Sequence, residues 1–373
     1  MKLIEFFTFR DAPAELRVEW SEAIESVLDS NQFIGGKVVE KFENEWCEYL
    51  KVSNTIGTGN GYDALFIALV SMQIGPGDFV AVPSHTFIAT WLAVSATGAT
   101  PVGIDCDENG LIDLSILETA GNNFSAVIPV HMHGLMVDMP RLLKWADKRG
   151  VRVIEDCAQS HGAQIGGKKA GTWGDFGAFS FYPTKNLGAL GDAGALVTND
   201  NALAEIARSF SNYGRIPTSK YTYDRRGINS RLDPMQASVL SVNLRYLDKW
   251  NSQRLFVASR YSKALASLGI ETLPFNVQSV FHHFIVISQN RDSSQKLLEK
   301  NGIRTEIHYP ESAQLSFEKI TYDTTNLQPK NSTQLAKKTL SLPISPWLSI
   351  ADIDYVIEIL SKDEVISSFN FKE

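Results

Sequence analysis

The segment DFGAFSFYPTKNLGALGDAGALVT sets one lysine, Lys185, between aromatic residues and a series of glycines ending at Gly194. A lysine amine forms imines with carbonyl compounds once desolvation or a neighbouring positive charge has removed its proton. A loop lysine beside a glycine turn is the bland alternative, and this segment alone leaves it open. In IEDCAQSHGA, Asp156 closes the apolar run VRVIED. A carboxylate in that position needs a cationic partner to offset its desolvation, and a protonated ring nitrogen would serve. A strand-end aspartate capping the next turn is the competing reading; Gln159 and His161 stand in the same balance. The third feature is NTIGTGNGYDALFIALV, where a glycine-rich turn leads directly into an amphipathic helix. Free backbone N–H groups and a helix dipole then meet at one point, which suits a phosphate. Neither the GxxxxGK[ST] spacing nor a strict GxGxxG is present, and a plain turn stays possible.

An imine-forming lysine, a cation-seeking carboxylate and a phosphate turn are the three things pyridoxal 5′-phosphate (PLP) requires of a protein. They must be brought together by the elements around them. From about residue 52 to 200, short β-branched runs alternate with amphipathic segments, so an α/β fold with a mostly parallel sheet is expected. FVAVPSH and SAVIPVHMHG read as strands running into loops. DMPRLLKWADKRG reads as a helix capped by Asp138 and ended by Gly150, and VRVIED as a buried strand. Binding residues in such sheets lie where strands end, and Asp156 stands there. Residues 218–230 read as a long polar and aromatic excursion before one helix, DPMQASVLSVNLRYLDKW. Beyond it the rhythm changes: SVFHHFIVIS and IRTEIHYP look strand-like, QKLLEKNG and ADIDYVIEILSK helical. The expected division is a large domain over 1–245, including the N-terminal segment, and a smaller α+β domain over 246–373.

Composition narrows the class. The 373 residues are 44% hydrophobic with a net charge of −7, enough for a large core and without a basic stripe for nucleic acid or anionic membrane. No apolar run reaches membrane-spanning length, and the N-terminus lacks a signal-peptide pattern. Cys47, Cys106 and Cys157 show no CxxC spacing, and the seven histidines no HExxH. No metal is expected, and a reducing cytoplasm fits.

Taken in order, FIGGKVVEKFENEW, VPSHTFIATWLAVSATGATPVGID, VHMHGLMVDM, EDCAQSHGA, SFYPTKNLGALGDAGALVT, GINSRLDPMQASVL, HYP and LSLP resemble the DegT/DnrJ/StrS nucleotide-sugar aminotransferases across nearly the whole chain. The resemblance implies the aspartate-aminotransferase-like fold, called PLP fold type I. It implies Lys185 as Schiff-base lysine and proton shuttle, Asp156 on the pyridinium nitrogen, Gln159 near the ring's phenolic oxygen and Ser180 on the phosphate. The backbone amides of Gly61 and Tyr62 would share that phosphate and Phe87 would stack on the ring. Asn229 would reach the phosphate of a neighbouring subunit, which implies a homodimer. Two departures stand out: many relatives have Ser-Gly-Thr where this chain has Asn60, Gly61 and Tyr62, and Met132 and His133 replace a leucine-tyrosine pair.

The branch most resembled transfers an amino group from L-glutamate to dTDP-linked 3-keto-6-deoxyhexoses. The alternatives are a 4-keto or UDP-linked keto sugar, or a non-catalytic PLP-binding regulator. Related dehydratases carry histidine at the lysine position, so Lys185 argues against that chemistry. His308, Tyr309 and Arg304 resemble a segment near the substrate end of related sites.

Overall fold

The computed structural model describes residues 2–121, 123–216, 218–219, 221–321 and 329–370. The strands are β1 (Asn54–Thr58), β2 (Phe79–Pro83), β3 (Thr100–Ile104), β4 (Ala126–Val127), β5 (Arg152–Asp156), β6 (Gln164–Ile165), β7 (Lys168–Lys169), β8 (Phe176–Ser180), β9 (Gly194–Thr198), β10 (Phe284–Ile287) and β11 (Thr339–Leu342). Seven of them form the central sheet in the order β1-β9-β8-β5-β4-β2-β3. Within it β9 runs antiparallel to both its neighbours, and the remaining pairings are parallel. The expected α/β architecture is therefore present.

Both faces of this sheet are covered, and the two-residue period of a strand shows how. Val80 and Val82 enter one apolar cluster with Ile154 and Leu196, while Ala81, Val153 and Val197 enter another on the opposite face. The helix Gly61–Ser71 fills the first with Leu65, Ile67 and Leu69; the helix Met139–Asp147 fills the second with Leu142 and Trp145. Asp138 caps the latter helix by accepting from Arg141 N, as its sequence suggests. A third cluster gathers Val257, Tyr261 and Leu265 of the helix Leu247–Leu268 with Phe284, Leu340, Val356 and Leu360 around the β10–β11 pair. Ile4 also packs there and bridges Ile303.

Several sequence expectations are redrawn. DPMQASVLSVNLRYLDKW is two helices, Pro234–Leu244 and Leu247–Leu268. At the break Arg245 and Tyr246 close tight bonds to residues three back, and both side chains reach Glu19 on the first long helix. SVFHHFIVIS is a strand only over β10, because His282 and His283 turn their rings toward Asn186 and His133. IRTEIHYP forms two isolated bridges in place of a strand, Ile303 with Ile4 and Glu306 with Ser341. SAVIPVHMHG shortens to β4, since Pro129 cannot donate and Met132–Gly134 turn as a 3-10 helix. No helix among the described residues is long and apolar enough to cross a membrane.

Candidate active site

Strand direction explains why the singled-out residues converge. β1, β2, β5 and β8 all point the same way, so Asn60, Phe87, Asp156 and Ser180 stand at or just beyond one edge of the sheet. They line a cavity of about 500 Å³, within the range of small-molecule sites, together with Gly61, Tyr62, Gln159 and Lys185. The three separate sequence features thus share one pocket.

At its floor Asp156 is buried and accepts from Thr90 Oγ1 at 3.0 Å and from Ala158 N at 3.1 Å. Thr90 is itself linked to Thr86 at 3.1 Å. No Lys, Arg or His ion pair to Asp156 exists among the described residues, and burial raises its carboxyl above the ordinary value. Lys185 and His131 act on it only at a distance, so the carboxylate is left able to meet a cationic group of a ligand directly. Lys185 follows β8 in a loop closed by its own N–H on Tyr182 O at 2.8 Å. Burial lowers its amine to about 8, with the Asp156 charge pulling the other way.

The phosphate turn is tight. Asn60 caps the helix Gly61–Ser71 by accepting from Asp63 N at 2.8 Å, and the first intrahelical bond starts at Ala64 N. The amides of Gly61 and Tyr62 therefore precede the helix's own bonding and face outward along its axis. A Cβ on Gly61 would stand 2.6 Å from Ser180 Cβ, so only glycine leaves the gap between helix and serine open. Phe87 starts the helix Ile88–Ala96 and is 55% exposed on the pocket wall, an apolar ring with an uncovered face. Its centroid lies 5.5 Å from that of Tyr309. An open glycine cradle, an uncovered aromatic face and a buried carboxylate without a direct ion pair fit PLP.

The amide of Gln159 is fixed at both ends: Oε1 accepts from His133 N at 2.6 Å and Nε2 donates to Tyr309 OH at 3.2 Å. Asn229 is the one residue of the set outside this pocket. It is exposed and bridges Asn212. Arg304 lines a separate cavity and pairs with Glu299.

Sequence reading missed Thr90, His282 and His283, while His308, placed near the substrate end by the resemblance, does line the pocket. Thr86 and Thr90 sit four apart in HTFIAT, a spacing that puts both on one side of a helix start. Nothing local signalled that His282 and His283 would join Lys185 in the pocket.

Residues 15–361 match the family described as the DegT/DnrJ/EryC1/StrS aminotransferase family. The chain belongs to this family. It is a PLP-dependent aminotransferase. A dTDP-3-amino-3,4,6-trideoxy-alpha-D-glucose transaminase from Streptomyces venezuelae is 42% identical over 350 residues, covering 92% of each chain. The crystal structure of DesV from S. venezuelae superposes with a TM-score of 0.92 at 40% identity, covering 97% of this chain and 98% of that one. NtdA from Bacillus subtilis, solved with bound cofactor PMP, gives a TM-score of 0.90 at 30% identity and covers 98% and 86%. The aminotransferase now described has the fold and the reaction class that its sequence implied.

Proposed function

We propose that the aminotransferase moves the amino group of L-glutamate to a dTDP-linked 3-keto-6-deoxyhexose, giving a dTDP-3-amino-3,6-dideoxyhexose. The observation that carries this reading is the single pocket holding Lys185, Asp156 and the Gly61–Ser180 cradle. Its substrate half rests on the S. venezuelae relative, whose name specifies a dTDP-linked 3-amino sugar.

When bound, PLP supplies an electron sink that stabilises the carbanion left as a proton leaves the amino-bearing carbon. Each residue then has a defined task. Asp156, oriented by Thr90 and Ala158 N, keeps the proton on the ring nitrogen and so keeps the sink effective. Ser180 and the amides of Gly61 and Tyr62 hold the phosphate. Phe87 covers one ring face. Gln159, fixed by His133 N, directs its amide toward the ring's phenolic oxygen. Lys185, whose amine burial lowers to about 8, takes the proton from the donor carbon in its unprotonated form and returns it to the cofactor side. The same transfer in reverse serves the sugar, so kinetics should be ping-pong. Tyr182 and His308, on the outer wall, stand where a sugar would enter.

The exposed position of Asn229 supports a role in a second chain's site, which makes the working unit a homodimer. Two packing units divided at 245/246 and a cytoplasmic location belong to the same reading. The break between the helices Pro234–Leu244 and Leu247–Leu268 supports the division, and three free thiols support the location.

Purified protein loaded with PLP should be yellow and should bleach on adding L-glutamate. Colour should return on adding the dTDP-3-keto sugar, and not with its 4-keto or UDP-linked counterparts. Failure to bleach would overturn the donor, and return of colour with the counterparts alone would overturn the acceptor.

A further inference from the structure

Five of the seven histidines converge where the small unit meets the pocket. His283 stacks on His308 with centroids 3.8 Å apart, touches His282 at 4.0 Å and His133 at 5.4 Å, and His133 lies 6.4 Å from His85. The closest polar contact in this group is between His133 Nδ1 and His283 Nδ1, 3.2 Å apart and both buried, across 150 positions of sequence.

Two ring nitrogens at that distance share one proton as an N–H···N hydrogen bond. Burial keeps both rings neutral, reinforced by the neighbouring His85 and His308 around His133 and by His308, His282 and Lys185 around His283. Each ring then carries a single N–H, and the bond has only two arrangements. If His283 were the donor, the proton of His133 would sit on Nε2, which is sealed from solvent without a partner. A buried N–H left unpaired is disfavoured more strongly than an unused acceptor lone pair. His133 is therefore the donor through Nδ1–H and leaves a bare lone pair on Nε2. His283 accepts at Nδ1, so its own proton is forced onto Nε2, on the side of the ring away from His133. His283 is one of the residues lining the main pocket, and its Nε2 is not among the atoms sealed off without a partner.

We propose that His283 is a substrate-binding residue whose Nε2–H donates to an acceptor oxygen of the incoming keto sugar, and that His133 is a positioning residue that fixes this tautomer from behind. The proposal rests on the sugar-aminotransferase reading above. His133 suits the task because its backbone is already committed: φ is 57°, its N–H is bonded to Gln159, and its carbonyl receives His283 N at 3.5 Å. The adjoining Gly134, at φ 97°, admits the small unit's backbone so closely that a Cβ would stand 2.8 Å from Phe281 N. Side chain and main chain together lock His283 at the pocket. A neutral donor there selects an oxygen acceptor rather than a fixed charge.

The test uses the full-length, PLP-loaded enzyme with ¹⁵N-labelled histidine. In the wild type, His133 should show the Nδ1–H tautomer and His283 the Nε2–H tautomer; the reverse assignment overturns the proposal. His133→Leu and His283→Leu should each raise KM for the dTDP-3-keto sugar roughly three- to tenfold while kcat moves much less, as expected for one lost neutral hydrogen bond. The double variant should be little worse than either single one. His133→Asn, whose amide N–H stands in for Nδ1–H, should bring KM back toward wild type. Unchanged KM in both leucine variants overturns the proposal. The wild type's response to glutamate and sugar separates that outcome from failure of the functional reading itself.

Discussion

Ser180 stands against Gly61 with no room for a single added carbon: a Cβ on the glycine would be 2.6 Å from the serine's own. The contact joins the end of β8 to the start of the helix Gly61–Ser71, and it is where the cofactor phosphate is proposed to sit. Gly61→Ala should therefore lose PLP on gel filtration while the colour of wild type survives. Ser180→Ala keeps the space and removes one hydroxyl. It should weaken PLP binding roughly ten- to a hundredfold, the worth of one hydrogen bond to a charged group. Equal PLP retention by Gly61→Ala and wild type would remove the cradle from this account.

Lys185 gives a pH signature. Its amine falls from 10.5 to about 8 because burial penalises the ammonium, and Asp156 opposes that fall. A depressed lysine is reactive at lower pH, so imine formation with added PLP in cofactor-free protein should rise through about pH 8 and level off above it. The native state also sheds this proton before the unfolded chain does. Stability should therefore gain, through this group, as pH rises from about 8 toward 10.5. Asp156→Asn should shift the reactivity midpoint lower still. A midpoint near 10.5 would contradict the buried amine.

His131, Glu155 and Cys157 form a buried trio with metal-like spacing. The hydrogen bonds give it a different role. His131 Nδ1 accepts from Val137 N, so Nε2 carries the proton and meets Glu155 Oε2 at 3.1 Å. Glu155 also accepts from the amides of Gly171, Trp173 and Gly174. The carboxylate is saturated by four donors and anchors the loop beside Asp156. Chelator should leave urea stability unchanged. Glu155→Ala should cost about 3 kcal/mol by stranding those donors, and a chelator-induced loss of similar size would restore the metal reading.

Asn229 is exposed within its own chain, so its proposed action on a second chain can be tested by mixing. Lys185→Ala alone should lose at least about 10²-fold in kcat, the usual scale for a positioned acid–base group. Asn229→Ala alone should bind PLP weakly. Subunits of the two variants, dissociated and reassembled together, should regain activity, because one site in each mixed dimer has both residues intact. No recovery would place Asn229 outside the site.

Local pattern carried much of this protein. Short β-branched apolar runs marked the strands, the capping aspartate and terminal glycine marked a helix, and the chemistry of Lys185, Asp156 and the Gly61 turn became legible when the three were read together. The order of those motifs was enough to indicate the family. Only the tertiary structure decided the relations that cross the chain. Gln159 is set by His133 and Tyr309, Asp156 is oriented by Thr90, and His283 takes its proton arrangement from His133. It also made Glu155 a saturated anchor, and it divided one expected helix at Arg245 and Tyr246. A side chain's partner at long range follows from how whole elements pack, and sequence periodicity records which face is buried without recording what it is buried against.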